Sequence, residues 1–393
     1  MRMLVRLTTA ALIAMTPALA GTASAVQPSP EPAPLLTSAN AVPGKYIVTL
    51  DKTVDAAKLA EKLLLKPSFV YKAAMNGFAV PLSPAQLTTV RNSLGVKSVE
   101  EDASITALPS PASPSTLRGP ASTWGLDRID QRSLPLDNSF SPQGNGAGVT
   151  AYILDTGIDY KHAEFGGRAV PGFDAIGDGK NGLDCQGHGT HVAGTVAGAT
   201  YGVARKANLV SVRVLGCDGK GTWSGIIAGM DWVAKNAKQP AVLNGSLGGV
   251  KSVAVNDAAT ALSDAGVLPV VAAGNESQDA CNVSPASAQR VLTVAASNKW
   301  DEETSFSNYG NCVSVYAPGQ SIDSAKLGGG AIALSGTSMA SPHVAGVAAL
   351  YKANHPTATP AEIYEFIAAK STKDVLNSVS KSSPNQIVFT NGL

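Results

Sequence analysis

The sequence lacks an excess of charge of either sign. It contains 30 Lys and Arg against 29 Asp and Glu in 393 residues, which excludes a strongly basic nucleic-acid binder and a chain with an acidic tail. It has no internal repeats, and beyond its first 20 residues no run is long and apolar enough to anchor it in a membrane. Apolar residues make up 44% of the chain and charged residues 15%, so a large core is possible. We expect a globular monomer that binds neither nucleic acid nor membrane.

The N-terminus has the features of an export signal. Arg2 and Arg6 precede the apolar run Leu7–Ala20, which is shorter than the roughly 20 residues of a transmembrane helix. Small residues follow in A-x-A spacing, ending at Ala20 and again at Ala25. We predict a signal peptide at residues 1–25, cleaved after Ala25 rather than Ala20, and a secreted, extracellular protein. The alternative is a buried core helix.

Cysteine is scarce, with four in the whole chain. An even number in an oxidising compartment indicates two disulfides, for which three connectivities are possible. We favour Cys185 with Cys217 and Cys281 with Cys312. The alternative is a reactive thiol at Cys185, which lies three residues before His188.

Two Pro- and Ser-rich stretches, at residues 27–34 and 109–115, divide the chain. Stretches of this composition are extended and solvated. They predict five segments: a signal peptide at 1–25, a linker at 26–43, a small domain at 44–107, a processing linker at 108–118 and a large domain at 119–393.

The periodicity of apolar residues predicts a different fold for each domain. Between Tyr46 and Ala107 the order is strand, helix, strand, strand, helix, strand, which is the ferredoxin-like α+β arrangement. In the large domain, short apolar strands such as Val149–Leu154 and Val267–Ala273 alternate with helices such as Trp223–Asn236. This alternation predicts an α/β fold with a mostly parallel sheet flanked by helices.

Three motifs in the large domain contain the residues of a serine nucleophile system. Asp155 lies at the carboxyl end of a buried strand, and His188 and Ser338 each lie at the start of a helix. A serine hydroxyl needs an imidazole base, and the base needs a buried carboxylate to hold its tautomer. Singly, the three could be a turn, a buried hydrogen-bonding histidine and a helix cap. In the chain order Asp, His, Ser they predict a catalytic triad.

Two other hydrolase types do not fit the spacing. His188 and His191 are three residues apart and lack the glutamate of an H-E-x-x-H zinc site. An esterase of the α/β-hydrolase type has G-x-S-x-G at the nucleophile and the order Ser, Asp, His, whereas Ser338 follows the other two residues here.

The large domain resembles the subtilases, the subtilisin family of serine proteases, in the proteinase K-like branch. The resemblance runs from Trp124-Gly-Leu-Asp-Arg-Ile-Asp130 to Ser383-Pro-Asn-Gln386 and rests above all on Gly336-Thr-Ser-Met-Ala-Ser-Pro-His343. It implies a secreted serine endopeptidase that needs no cofactor for catalysis, and the same two disulfides. The alternative is an inactive, subtilase-like binding protein.

The resemblance also implies the roles of the site residues. Ser338 would be the nucleophile, His188 the base and Asp155 the group that orients it, while Asn275 would donate to the oxyanion together with the Ser338 N–H. A roomy, uncharged pocket would favour an apolar or aromatic residue before the cleaved bond. Its implied substrate-binding residues are Ser246, Leu247, Gly248, Ala272, Ala273 and Gly274.

The small domain resembles the subtilase propeptide through Lys45-Tyr-Ile-Val48 and Asn76-Gly-Phe78. The resemblance implies an intramolecular chaperone and inhibitor whose last strand lies in the active site, with autocleavage between Ala107 and Gly119, near Leu117. An unrelated ferredoxin-like domain is the alternative. The expected partners are therefore protein and peptide substrates and the chain's own propeptide.

Structural calcium is predicted from an oxygen-rich segment of 11 residues. Carboxylate and amide oxygens suit this ion, and relatives bind calcium through such a segment, although Ser139 replaces a longer side chain here. A solvated turn is the alternative. A second family site would use the Pro285 carbonyl, but Ser314 stands where the family has a carboxylate, so we expect that site to be weak or absent. The candidate ligands of the first site are Asp127, Asp130, Gln131 and Asp137.

Overall fold

The computed structural model describes residues 31–107 and 123–393. The predicted signal peptide, the processing linker and the expected cleavage point near Leu117 lie outside the described residues. Among the residues described, no helix has the length and apolar character needed to cross a membrane.

The N-terminal subdomain, residues 33–107, contains five strands and two helices. Its helices begin where the sequence offers caps: the Asp55 carboxylate accepts from the backbone of Ala57 and Lys58, and Ser83 forms a capping box with Gln86. The elements are β1 (Leu35–Leu36), β2 (Ala41–Leu50), α1 (Ala56–Lys62), β3 (Phe69–Tyr71), β4 (Gly77–Pro81), α2 (Pro84–Arg91) and β5 (Val96–Thr106).

The sheet of this subdomain has the order β1-β5-β2-β4-β3. Strands β2 to β5 and the two helices reproduce the predicted ferredoxin-like arrangement. The predicted linker at 26–43 extends too far, because Leu35 and Leu36 pair in parallel with Val99 and Glu100 and β2 already begins at Ala41. Two leucines after the proline-rich stretch provide apolar side chains that the sheet can cover.

The C-terminal subdomain, residues 123–393, carries the α/β fold. Its elements are α3 (Trp124–Asp130), β6 (Thr150–Asp155), β7 (Ala169–Asp174), α4 (His188–Ala197), β8 (Asn208–Arg213), β9 (Lys220–Thr222), α5 (Trp223–Asn236), β10 (Ala241–Gly245), β11 (Gly249–Val250), α6 (Val253–Asp264), β12 (Leu268–Ala272), β13 (Val283–Ser284), β14 (Leu292–Ser297), β15 (Val315–Pro318), β16 (Ile322–Ala325), β17 (Ala331–Leu334), α7 (Thr337–Asn354), α8 (Pro360–Lys370), β18 (Thr372–Lys373) and β19 (Gln386–Ile387).

A nine-stranded sheet with the order β18-β19-β15-β14-β12-β10-β6-β8-β7 forms the centre of this subdomain. All neighbouring pairs are parallel except β18 with β19. The predicted mostly parallel sheet is confirmed. The periodicity did not predict the antiparallel hairpin β16–β17, because its strands are four residues long and its turn contains Gly328, Gly329 and Gly330.

Helix α7 lies at the centre of the fold. Every residue from Thr337 to Leu350 is buried, and the helix packs against α4 and against β10, β12, β14 and β15. Small residues allow this close approach: a Cβ on Gly346 would lie 2.4 Å from Val203 Cβ. Ser246, which follows β10, bonds to Ser338, and Asn275, which lies beyond β12, bonds to Thr337. The N-terminus of α7 therefore lies at the carboxyl ends of the central strands, where α/β sheets place their sites.

Candidate active site

Asp155 and His188 form a buried pair. Asp155 is the last residue of β6, and His188 is the first residue of α4. The Nδ1 atom of His188 lies 2.8 Å from Oδ1 and 3.0 Å from Oδ2 of Asp155. An N–H at Nδ1 leaves Nε2 as the free basic nitrogen, which is the tautomer that a general base requires.

The loop before α4 is held by a second carboxylate. Asp184 Oδ1 accepts from the backbone of Gln186 and Gly187 and from the Thr156 hydroxyl. Its Oδ2 accepts from the backbone and hydroxyl of Thr190. This negative group at the N-terminus of α4 complements the helix dipole, and it fixes the start of the helix that carries His188.

The charges of Asp155 and Asp184 set the proton affinity of His188. Burial alone lowers the pKa of the imidazole, but the charge and hydrogen bond of Asp155, with the charge of Asp184, outweigh it and raise the pKa above its usual value. Burial has the opposite net result at His191, whose pKa falls to about 3. The Nε2 of that ring lies 3.0 Å from Ile322 O and 3.1 Å from Ile332 O, so His191 is a neutral ring that holds the β16–β17 hairpin.

Ser338 is buried in the first turn of α7. Its Oγ donates to the carbonyl of Ser246 at 3.2 Å, and within the described part of the chain His188 Nε2 has no hydrogen-bond partner. The Ser338 hydroxyl is therefore bonded to the Ser246 carbonyl and not to the His188 imidazole.

Asn275 presents a free amide beside this helix start. Its Oδ1 accepts from both the N–H and the hydroxyl of Thr337, each at 2.8 Å. The orientation of the amide is thereby determined, since an oxygen must face these two donors. Its Nδ2 is buried and, among described residues, has no acceptor. A buried donor without an acceptor can stabilise an oxyanion that forms during a reaction.

The loop of Asn275 is supported by Asn308. The Asn308 Oδ1 accepts from the backbone of Glu276 and Gln278, and its Nδ2 donates to Ala273 O and to a Glu276 carboxylate oxygen. Gly274 has φ +105°, and a Cβ there would lie 2.2 Å from Asn308 Nδ2 and 2.7 Å from Glu276 Oε2. Gly274 therefore packs against the Asn308 amide and the Glu276 carboxylate, and a side chain does not fit there.

The last strand of the N-terminal subdomain pairs with a strand that the sequence did not predict. Strand β5 is antiparallel to β9, with Ser104 opposite Thr222 and Thr106 opposite Lys220, and Ala107 N–H donates to Gly219 O. Ile105 is buried, and a Cβ on Gly249 would lie 3.1 Å from both Ile105 Cγ2 and Trp223 Cζ2. The segment after Ser246 contacts this strand through side chains, while β9 forms the backbone ladder.

Carboxylates tie the two subdomains together. Asp102 accepts from the backbone and hydroxyl of Ser224 at the start of α5, and Glu100 accepts from the backbone of Ala254 at the start of α6. The C-terminal subdomain also supplies a carboxylate: Asp231 Oδ1 accepts from the N–H groups of residues 72–74 in the N-terminal subdomain. Burial raises the pKa of both Glu100 and Asp102. Anionic caps at two helix N-termini stabilise this contact.

The four cysteines form two disulfides, Cys185–Cys217 and Cys281–Cys312. The first joins the loop before His188 to the turn before β9. The Arg213 guanidinium lies against its sulfurs and binds Asp174 and Asp178. The described chain has no free cysteine.

Of the predicted calcium ligands, Asp127 and Asp130 lie in α3, and Gln131 and Asp137 lie in the segment after it. The three carboxylates do not all lie within 4.8 Å of one another. Asp127 accepts from the backbone of Asp137 and Asn138, and Asp130 accepts from Ser141. In the described ranges, the one group of three metal-ligating side chains within 4.8 Å is Asp178, Cys185 and Cys217, and its cysteines form a disulfide. At the second expected site, Ser314 Oγ accepts from Thr293 N–H, and this hydroxyl carries no charge for a cation.

Comparison with known families identifies the fold. The Subtilase family (Peptidase_S8) model matches residues 146–386, a range that covers more than half of the chain and includes the three predicted triad residues. The chain belongs to the subtilase family of serine endopeptidases. The Peptidase inhibitor I9 model matches residues 65–107, so this subtilase carries an I9 propeptide domain at its N-terminal side. The predicted fold class and enzyme class are confirmed.

Individual relatives share much of the chain. "Alkaline serine exoprotease A" of Vibrio alginolyticus is 46% identical over 82% of this chain and 60% of its own length. "Extracellular serine proteinase" of Thermus sp. (strain Rt41A) is 43% identical, covering 92% and 93%, and "Cuticle-degrading protease" of Metarhizium anisopliae is 40% identical, covering 96% and 98%. The crystal structure of a cold adapted subtilisin-like serine proteinase matches with TM-score 0.67 and 47% identity over 69% of this chain and 98% of that one.

Sequence reasoning missed several residues of the site. Thr337, Asn308 and Gly219 act through hydrogen bonds to or from the backbone and side chains of distant segments. Thr337 lies within the Gly-Thr-Ser motif, but the motif did not predict what its side chain does. Asn308 and Gly219 lie in short loops with no chemical pattern of their own.

Proposed function

We propose that this subtilase is a secreted, self-processing endopeptidase in which Ser338, His188, Asp155 and Asn275 carry out peptide-bond hydrolysis. The observation that carries the proposal is the geometry at the start of α7. Ser338 lies in the first turn of this helix, and Asn275 is bonded to Thr337 at the same helix start. His188 is bonded to Asp155 through Nδ1, and among the described residues its Nε2 and the Asn275 amide N–H have no partner.

In the first half of the reaction, Ser338 Oγ attacks the carbonyl carbon of the cleaved bond and His188 Nε2 takes the hydroxyl proton. The charge of Asp155 stabilises the imidazolium. The oxyanion accepts hydrogen bonds from Asn275 Nδ2 and from the N–H of Ser338, which is among the unpaired donors of the first helical turn. The tetrahedral intermediate then breaks its C–N bond, and His188 returns the proton to the departing amine.

In the second half, a water molecule attacks the ester carbon of the acyl-enzyme. His188 Nε2 takes one proton from the water, and the same two donors hold the new oxyanion. When the C–Oγ bond breaks, His188 gives its proton to Ser338, which restores the hydroxyl and releases the carboxylic acid product. These steps use the four side chains, the backbone N–H of Ser338 and water.

The N-terminal subdomain serves as the inhibitor of the mature enzyme in this proposal. Support comes from β5, which pairs with β9 as an added antiparallel strand. Extended peptides bind to sheet edges in the same way. Ile105 fills an apolar position beside Trp223, and Glu100 and Asp102 cap two helices of the enzyme. Substrates would follow the same path, with an apolar or aromatic residue favoured before the cleaved bond.

Calcium is proposed as a structural ion at Asp127, Asp130, Gln131 and Asp137. Burial first, and then the charges of Asp127 and Asp137, raise the pKa of Asp130. A cation would relieve this repulsion. The compact arrangement of ligands seen in oxygen-rich sites would require these four side chains to move closer together.

The test compares the wild-type chain with Ser338→Ala after secretion. Wild type should mature between Ala107 and Gly119 and cleave a peptide with Phe before the scissile bond, whereas Ser338→Ala should do neither. The matched control is Ser371→Ala, which removes a buried hydroxyl bonded to Ile367 O away from the site and should mature normally. If Ser338→Ala matured and both chains left the peptide intact, the protein would be a binding protein and not a protease.

A further inference from the structure

The carbonyl of Ser338 lacks the helical hydrogen bond that its position requires. Inside an α-helix this carbonyl would accept from the N–H of the residue four positions later. That residue is Pro342, which lies inside α7 and has no N–H. Ser338 is buried, and a buried carbonyl without a donor is costly.

A hydroxyl from outside the helix supplies the missing donor. Ser246 Oγ donates to Ser338 O at 2.8 Å. Ser246 follows the last residue of β10 and is itself buried. The first turn of α7 is therefore bonded to the central sheet at the point where an ordinary helix would be bonded to its own next turn.

Two neighbours determine the direction of this hydroxyl. Asn244 Nδ2 donates to Ser246 Oγ at 2.9 Å, and Ser341 Oγ donates to Asn244 Oδ1 at 2.9 Å. Because an amide nitrogen can only donate, Ser246 Oγ must accept from it and send its single proton to Ser338 O. All three side chains are buried, so water does not compete with them.

We propose that Asn244, Ser246 and Ser341 are positioning residues for the nucleophile. Their chain of hydrogen bonds replaces the bond that Pro342 removes and fixes the turn that carries Ser338 Oγ and N–H. The network holds this turn against β10, which lies between β6 and β12 in the sheet. Strand β6 ends at Asp155, and β12 leads to Asn275. This inference rests on the proposed function, and it assigns Ser246 a task beyond the substrate contact expected from its motif.

The decisive experiment is a rescue. Ser246→Ala in the full chain should lower kcat about 10- to 100-fold, the effect of a small misplacement of reacting groups, with KM changed less than about threefold. The double variant Ser246→Ala/Pro342→Ala should recover most of kcat, because an alanine at 342 restores the helical N–H. The concentration of active sites in each preparation is measured by titration with a serine-reactive phosphonate, and kcat is calculated from that concentration.

Two further variants test the polarity of the network. Asn244→Asp keeps the volume but removes the donor, so Ser246 would give its proton to the new carboxylate, and kcat should fall as in Ser246→Ala. Ser246→Thr keeps the hydroxyl and should retain kcat. Ser371→Ala is the control, since it removes a buried serine-to-helix-carbonyl bond of the same kind at the end of α8. It should leave kcat unchanged.

Several outcomes would overturn the inference. A Ser246→Ala enzyme within twofold of the wild-type kcat would do so, as would a double variant no faster than the single one, or a loss confined to KM. If Ser246→Ala does not mature, the double variant must restore maturation, and its failure to do so would be equally decisive. A wild-type chain without activity would refute the proposed function itself, and the positioning role with it.

Discussion

The orientation of Asn275 depends on Thr337, and this dependence can be measured. Thr337 Oγ accepts from Gly274 N–H at 3.1 Å and donates to Asn275 Oδ1 at 2.8 Å, while the Thr337 N–H makes a second bond to the same oxygen. Thr337→Val keeps the shape of the side chain and the N–H bond but removes the hydroxyl. The Asn275 amide then keeps one of its two restraints.

The structure bounds the size of the effect. A net contribution of about 0.5–1.5 kcal/mol for each of the two lost hydrogen bonds amounts to about 1–3 kcal/mol, or roughly a 5- to 150-fold loss of kcat. Loss of the whole side-chain donor, measured in subtilisin, costs about 100- to 1,000-fold. Because the N–H restraint persists, we expect Thr337→Val to lower kcat about tenfold and Thr337→Ser to lower it less than about threefold.

A double-mutant cycle decides whether the effect passes through Asn275. The assay is kcat and KM on one peptide, normalised to titrated active sites, for Thr337→Val, Asn275→Ala and the combination. If Thr337 acts by orienting the amide, it should have little effect once Asn275 is absent. Losses that multiply independently would refute this reasoning, as would a Thr337→Val enzyme with the wild-type kcat.

Two other predictions concern the base and the calcium ligands. Asp155→Asn removes the charge that raises the pKa of His188, so kcat/KM should fall about 10⁴-fold. In a plot of kcat/KM against pH, the acid limb should move to lower pH, and a limb that stays in place would contradict this origin of the pKa shift. Removing calcium with a chelator should lower the Tm of the mature enzyme by about 5 °C, if calcium was present at about a hundredfold excess over its Kd. Asp130→Asn should abolish that difference. Equal Tm values with and without chelator in the wild type would exclude the ion.

The three candidate triad residues could be selected from the sequence because each lies in a motif with a recognisable local structure. Asp155 ends a buried apolar strand, and His188 and Ser338 begin helices in glycine-bounded segments. Chain order then selected one known arrangement. The ferredoxin-like order of the N-terminal subdomain was accessible for a similar reason, since its strands alternate and its helices have capping residues.

The strand that binds the propeptide could not be predicted in this way. Lys220–Thr222 is three residues long and contains Lys, Gly and Thr, which gives neither an apolar alternation nor a β-branched run. Its role comes from its partner, β5, more than 100 residues earlier in the chain. Glu276 escaped notice because its carboxylate folds back over Gly274, a contact set by the loop and by Asn308.

The positions of the site residues follow from the order of the central strands. Asp155 ends β6, Ser246 follows β10 and Asn275 lies three residues beyond β12, and these strands are neighbours in the sheet. Parallel strands lie about 4.8 Å apart, so the sheet sets how far apart Asp155, Ser246 and Asn275 lie. Helix α7 packs against β10, β12, β14 and β15, but a helix can still slide and rotate on a sheet. The hydrogen bond from Ser246, the residue after β10, to the first turn of α7 removes that freedom at Ser338. Pro342 has no N–H, so it leaves the Ser338 carbonyl free to accept this bond.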